Sequence, residues 1–130
     1  MNPSAFAFHE FFAGGGMARL GLGEGWNCLF ANDLDPGKVA AYRANFGNAH
    51  LVEGDVWDLI PDQIPGTADL AWASSPCQDL SLAGLRGGLT AQRSSAFWGF
   101  HRLIKEMDEV QRSPRIVVVE NVGGLLSSCG

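Results

Sequence analysis

Apolar residues come in short runs, and the runs end in similar ways. Ala5 to Phe12 is apolar and aromatic except for His9 and Glu10, and it stops at Ala13-Gly14-Gly15-Gly16. The pattern predicts a first strand feeding a tight turn. Met17, Leu20 and Gly21 stand at helical spacing within Met17 to Glu24, which predicts a short helix despite its glycines. Trp26 to Ala31 predicts a second strand with Asn32-Asp33-Leu34-Asp35 at its tip. Pro36 suits a first helical turn and Asp35 the cap before it. That helix runs through Val39, Tyr42 and Phe46 to a stop at Gly47-Asn48. Ala49 to Val52 predicts a short third strand closed by Glu53-Gly54-Asp55, and Val56 to Thr67 reads as a loop with room for one helical turn. Asp69 to Ala73 predicts a fourth strand that leads into Ser74-Ser75-Pro76-Cys77-Gln78. Asp79 to Leu89, with Gly84, Gly87 and Gly88, reads as a flexible, partly polar segment. Ala91 to Val110 predicts a long helix whose Phe97, Phe100, Ile104 and Met107 trace an apolar face. Pro114 to Val119 predicts a fifth strand, and its unbroken Ile116-Val117-Val118-Val119 predicts cover on both faces.

Strands alternating with helices predict an α/β fold of five mainly parallel strands with right-handed crossovers. The 130 residues suit a single small domain, with no internal repeat and no linker. The ten residues after Glu120 carry no closing helix or strand, so the expectation is a fragment with an incomplete sheet whose fifth strand lies near an edge. No run approaches the roughly 18 apolar residues of a membrane span, and Met1 to His9 lacks the basic segment of a signal peptide. Cys28, Cys77 and Cys129 have neither metal spacing nor an even count. Reduced thiols in a cytoplasmic protein with no metal are expected. The formal charge of -5 argues against a self-sufficient DNA-binding domain, which would carry a basic face.

The unusual residues gather at strand ends, the edge of an open α/β sheet where sites form. The strand, glycine turn and helix offer backbone amides to a ligand or form a mere tight turn. Asp33 lies 19 residues past Gly14, about where an acid meets a ribose in nucleoside-binding folds. Asp35 reads equally as a cap, and Asp55 as an adenine acceptor or a strand-ending turn residue. Cys77, after a proline on a loop, is a candidate nucleophile. His9, His50 and His101 are poorly placed as its base, which weakens acyl transfer. Glu120, at the neighbouring strand end, suggests addition of a thiol to a conjugated ring beside an acid. An acid in that role must keep its proton, which burial beside a backbone carbonyl favours.

These residues jointly resemble the amino-terminal part of the cytosine-C5 methyltransferases, mainly the DNA enzymes. The resemblance rests on Phe12-Ala13-Gly14-Gly15-Gly16 with Gly21-Leu22, on Asp33-Leu34-Asp35-Pro36 with Tyr42 and Asn45-Phe46, and on Gly54-Asp55-Val56. It continues through Pro76-Cys77-Gln78, Ser81, Ala83-Gly84, Gly88-Leu89, Arg93-Ser94 and Phe97 to Pro114 and Glu120-Asn121-Val122. The order is the family's and nearly the whole chain is covered. The resemblance implies a Rossmann-like fold that binds S-adenosylmethionine. It further implies that Cys77 attacks cytosine C6 while Glu120 bonds N3 and the exocyclic amine. Phe12, Gly14, Gly16, Leu34, Val56 and Pro76 would shape the cofactor pocket, with Asp33 or Asp35 on the ribose and Asp55 on the adenine amine. The target base would be flipped out of double-stranded DNA, with Gly84 to Gly88 closing over it.

The sequence departs from the family at Met17, where a second consecutive glycine is usual, and at Ser74-Ser75 before the Pro-Cys-Gln loop. The family's later arginine motif, target-recognition region and closing helix are not in these 130 residues, so DNA recognition and independent activity are not expected of them. A transfer-RNA enzyme and a non-catalytic methyltransferase-like partner are the alternatives. Decay of Cys77 or Glu120 would mark the latter, and both are intact. An oxidoreductase with a Gly-x-Gly-x-x-Gly start fails at Arg19.

Overall fold

A computed structural model describes residues 6–75 and 96–120. Pro76, Cys77 and Gln78, the Asp79 to Leu89 segment, the predicted helix start at 91–95 and the residues after Glu120 lie outside the described residues. Within them the five predicted strands form: β1 (Phe6–Phe11), β2 (Trp26–Asp33), β3 (Leu51–Glu53), β4 (Leu70–Ser74) and β5 (Ile116–Glu120). All pair in parallel, in the order β3-β2-β1-β4-β5. Helices α1 (Met17–Leu22), α2 (Pro36–Phe46) and α3 (Ala96–Glu109) connect them. The chain runs outward in one direction from β1 to β3 and in the other from β4 to β5. The carboxyl ends of β1 and β4 therefore flank the switch point where open α/β sheets bind ligands.

Alternation along β1 sets up two cores. Phe8 joins Cys28, Ala31, Tyr42 and Leu70 on the α1–α2 side. Phe11 joins Phe30, Ala71, Ala73 and the buried α3 residues Phe100, Leu103 and Met107 on the other. Pairing on both edges makes β1 the most enclosed strand, and it buries even His9 and Glu10. The register slips between Phe8 and His9, where β2 carries one extra residue, Leu29. The α2 boundaries follow their sequence signals. The Asp35 carboxylate accepts the Lys38 amide at 2.9 Å, and Gly47 returns its N–H to the Arg43 carbonyl.

The stretch from Val56 to Thr67 is more ordered than a loop. It holds two 3-10 turns, Val56–Asp58 and Pro61–Gln63. Two arginines collect its carbonyls: Arg102 donates to the oxygens of Val56, Trp57 and Leu59 and pairs with Glu106 at 3.0 Å. Arg112 donates to those of Pro61, Ile64 and Gly66. A guanidinium has enough donors to satisfy several backbone acceptors at once. This clamp fixes the segment that follows Asp55.

Strand β5 corrects one expectation. Its valines are not covered on both faces, and Ile116, Val117 and Val119 are exposed. The strand lies at the sheet edge, and α3 packs chiefly on the 3-10 turns. An unbroken apolar run reports that a strand is suited to burial, without saying which residues supply the cover.

Replacing Arg112 by methionine keeps length and removes the donors for three carbonyls. We expect a loss of about 2–4 kcal/mol, read as a lower denaturant midpoint. Arg112→Lys should recover only part of it, because an ammonium is a point charge.

Candidate active site

The β1–α1 turn is held from beneath by the tip of β2. Phe12 takes φ +54°, unusual for a residue with a side chain, and Gly14 takes φ +56°. The turn is locked by two bonds. The Gly14 amide donates to Asp33 Oδ2 at 2.8 Å, and the Asp35 amide donates to Oδ1 of the same carboxylate at 2.9 Å. Asp33 is buried while Asp35 is exposed. The two acids left open by the sequence thus differ in placement: Asp33 forms the floor of the turn, and Asp35 caps α2.

Residues from α2 support the turn from the side. Asn45 Nδ2 donates to the Gly15 carbonyl at 3.0 Å. A Cβ on Gly16 would lie 2.3 Å from the Phe46 ring, and Gly16 has φ +91°. Gly16 therefore serves close packing against α2 and is not among the lining residues of either cavity described below. On the far side, Asn32 Nδ2 donates to the carbonyls of Val52 and Gly54, and the Gly54 amide donates to the Asp33 carbonyl. Asp55 then opens the first 3-10 turn by accepting the Trp57 amide at 3.0 Å. Both readings of Asp55 meet here, since it caps a turn and also faces a cavity.

Two cavities adjoin over these strand ends. One, of about 640 Å3, is lined by Asp33, Leu34, Asp35, Asp55 and Val56. The other, of about 730 Å3, is lined by Gly14, Gly15, Met17, Trp72 and Glu120. Phe12, Lys38 and Ser74 line both. The first offers carboxylates beside the apolar walls of Leu34 and Val56, a donor set suited to a nucleoside. In the second, Ser74 of β4 pairs in register with Glu120 of β5, and its hydroxyl accepts Trp72 Nε1–H at 3.1 Å. Glu120 is exposed, so the described residues do not supply the burial that an acid beside a base ring needs. Predicted Cys77 and Pro76 follow Ser74-Ser75 in sequence but fall outside the described residues. No group of three metal-ligating side chains occurs among the described residues, nor does a helix long and apolar enough to cross a membrane.

The histidines are not assembled with Glu120. His9 is buried and its Nε2–H donates to the Pro65 carbonyl at 3.0 Å. Burial pushes its pKa down, the charge of Arg112 adds to this, and the Pro65 carbonyl opposes it. His50 and His101 are exposed. Cys28 is buried beside the Tyr42 hydroxyl, and burial pushes its thiol up, which makes it a poor nucleophile.

Sequence reasoning missed Lys38, Trp72 and the hydroxyl of Ser74 as wall residues. No periodicity or motif spacing singles them out. It also missed Glu10. Fully buried in β1, its carboxyl rises to about 7, mainly through burial and against the pull of the Arg19 and Ala18 amides and the Arg19 guanidinium, with Asp33 adding to the rise. One of its oxygens, Oε1, has no hydrogen-bond partner among the described residues. A charged residue interrupting a central-strand pattern was the available signal.

Residues 6–129 match the family described as C-5 cytosine-specific DNA methylase. The chain is 32% identical over its full length to the type II methyltransferase M.PspPI of a Psychrobacter strain, covering 30% of that protein. It is 34% identical over 98% of its length to M.Eco47II of Escherichia coli, again covering 30%. It is 32% identical over 92% to M.HhaI of Haemophilus parahaemolyticus, covering 35%. The chain thus spans about a third of the length of these relatives. Among solved structures, the S. pombe Dnmt2 methyltransferase superposes with a TM-score of 0.68 at 22% identity, over 95% of this chain and 40% of that one. Streptomyces venezuelae DesVI gives 0.57 at 16% identity, over 92% and 44%. These likenesses show the fold, which is shared with a methyltransferase.

The Glu10 carboxyl makes stability depend on pH. A carboxyl raised in the folded state binds its proton more tightly there than in the unfolded chain. Its stabilising effect is therefore complete below about pH 4.5 and is lost as pH rises towards 7. At roughly 1.4 kcal/mol per pH unit the difference is about 3 kcal/mol. Denaturant midpoints measured from pH 4.5 to 8 should show this fall, and Glu10→Gln should flatten it.

Proposed function

Because the chain belongs to the C-5 cytosine-specific DNA methylase family, we propose that it forms the cofactor-binding and catalytic part, residues 1–130, of a DNA (cytosine-5-)-methyltransferase. The carrying observation is the register of Ser74 with Glu120. It makes neighbours of the strand tip that leads to Cys77 and the tip that bears Glu120, beside the glycine turn and over one continuous pair of cavities.

S-adenosylmethionine supplies the methyl group when bound. The residues present fit it. Asp33 lies at the strand tip where a ribose hydroxyl pair needs an acceptor, and its two oxygens keep lone pairs beyond those given to Gly14 and Asp35. Leu34 and Val56 offer apolar walls to a purine, and Asp55 accepts from its amine. Phe12 and Gly14 shape the turn, Asp35 sets the direction of α2, and Pro76, outside the described residues, would add to the cofactor pocket.

Cys77, as thiolate, adds to C6 of cytosine while Glu120 donates a proton to N3 and accepts from the exocyclic amine. The electron pair displaced from the C5–C6 bond makes C5 a nucleophile. After C5 is methylated, a base removes the C5 proton, the electrons restore the double bond, Cys77 leaves as thiolate, and the N3 proton returns to Glu120. The base must leave the duplex stack to reach these groups. Double-stranded DNA would be held by residues outside these 130, consistent with the charge of -5, and the 130 residues alone would be inactive. A cytoplasmic enzyme without metal is the corresponding expectation.

The test is covalent trapping by the full-length gene product on duplex DNA containing 5-fluorocytosine, with S-adenosylmethionine present. Fluorine at C5 blocks the final elimination, so an adduct stable to denaturation should accumulate and vanish in Cys77→Ser. Glu120→Gln should slow its formation by about 100-fold or more. An adduct of equal yield in Cys77→Ser overturns the mechanism, and trapping on fluorinated transfer RNA in place of DNA overturns the substrate.

A further inference from the structure

We infer that Lys38 binds the carboxylate of the cofactor's amino-acid part, as the cation that balances an otherwise acidic site. This rests on reading the two cavities as an S-adenosylmethionine site. Lys38 lies in the first turn of α2 and lines both cavities, at their junction with Phe12 and Ser74. Among the described residues lining either cavity it is the one cation, whereas Asp33, Asp35, Asp55 and Glu120 are acids. The cofactor carries a sulfonium and an ammonium, which suit acids, and a carboxylate, which does not. Without a cation or free amides at its position, that carboxylate would be desolvated among like charges.

Two further observations favour Lys38 over a solvated surface role. First, the acids nearest in sequence hold backbone amides: Asp33 those of Gly14 and Asp35, and Asp35 that of Lys38 itself. The Lys38 ammonium has no hydrogen bond or ion pair among the described residues. Second, a helix start favours negative charge, so a lysine in the first turn works against the helix dipole. A residue that contradicts its local preference at the rim of a cavity is expected where a ligand compensates. The long apolar stem lets the ammonium reach over the turn without fixing its position in the free protein.

The test is calorimetric binding to the full-length gene product. The probes are S-adenosylmethionine and its decarboxylated form, which has hydrogen in place of the carboxylate and is otherwise the same. The wild type should bind the intact cofactor about tenfold more tightly than the decarboxylated one. Lys38→Met should lose about that factor for the intact cofactor and nothing for the decarboxylated one. Lys38→Arg should keep most of the difference. Equal weakening of both ligands in Lys38→Met, or weakening of neither, overturns the Lys38 assignment and leaves the cofactor reading standing. A wild-type protein that binds neither ligand overturns the cofactor reading itself, and with it this inference.

Discussion

The carboxylate of Asp33 is the constraint on which the site depends. Its two oxygens hold the amide of Gly14 on one side and that of Asp35 on the other. One buried group thereby fixes the turn after β1 and the start of α2. Charge-assisted hydrogen bonds of this kind are worth about 1.5–3 kcal/mol each. They offset a cost, since Phe12 and Gly14 take left-handed backbone angles and a non-glycine residue there stores about 1–3 kcal/mol. The turn stays open to a ligand because these bonds come from below and from α2, through Asn45 and the face of Phe46 against Gly16.

Much of this was legible in the sequence because strand ends announce themselves. A buried parallel strand is an apolar run, and the residue types at its exit contrast with it. Asp33, Asp55 and Glu120 were singled out that way, as were the cap at Asp35 and the stop at Gly47. The geometry of support was not legible. Gly16 looks like Gly14 in sequence, yet besides its left-handed backbone the ring of Phe46, thirty residues away, bars a side chain there. The two arginine clamps were equally hidden, because collecting backbone carbonyls requires no particular residue on the accepting side. The 3-10 turns they stabilise are too short to have a period.

Charged residues inside the apolar pattern carried more information than the sequence reading drew from them. His9 and Glu10 looked like interruptions of β1, and they are fully buried in its middle. Neighbours on both edges leave a central strand no solvent to turn to. His9 answers burial by staying neutral and giving its proton to the Pro65 carbonyl. Glu10 answers by holding its proton to about pH 7, close behind the start of α1. The glycine turn therefore rests on one carboxylate that is hydrogen-bonded at the tip of β2, and lies near another that burial drives towards neutrality.

Exposed Ile116 and the exposed carboxyl of Glu120 share one face of β5. Residues two apart on a strand share a face, so Ile116, Val118 and Glu120 point the same way. Val118 already packs on the α1–α2 side, and Glu120 lines the cavity beside Met17 and Trp72. The apolar surface of Ile116 is still open on that face. A segment laid along the whole of that face would cover both Ile116 and Glu120, and desolvation is what an acid needs to keep a proton beside a base ring. Val117 and Val119, exposed on the opposite face, are a separate surface. The strand that looked, from its composition, as if it should be covered is the strand whose covering the proposed chemistry requires.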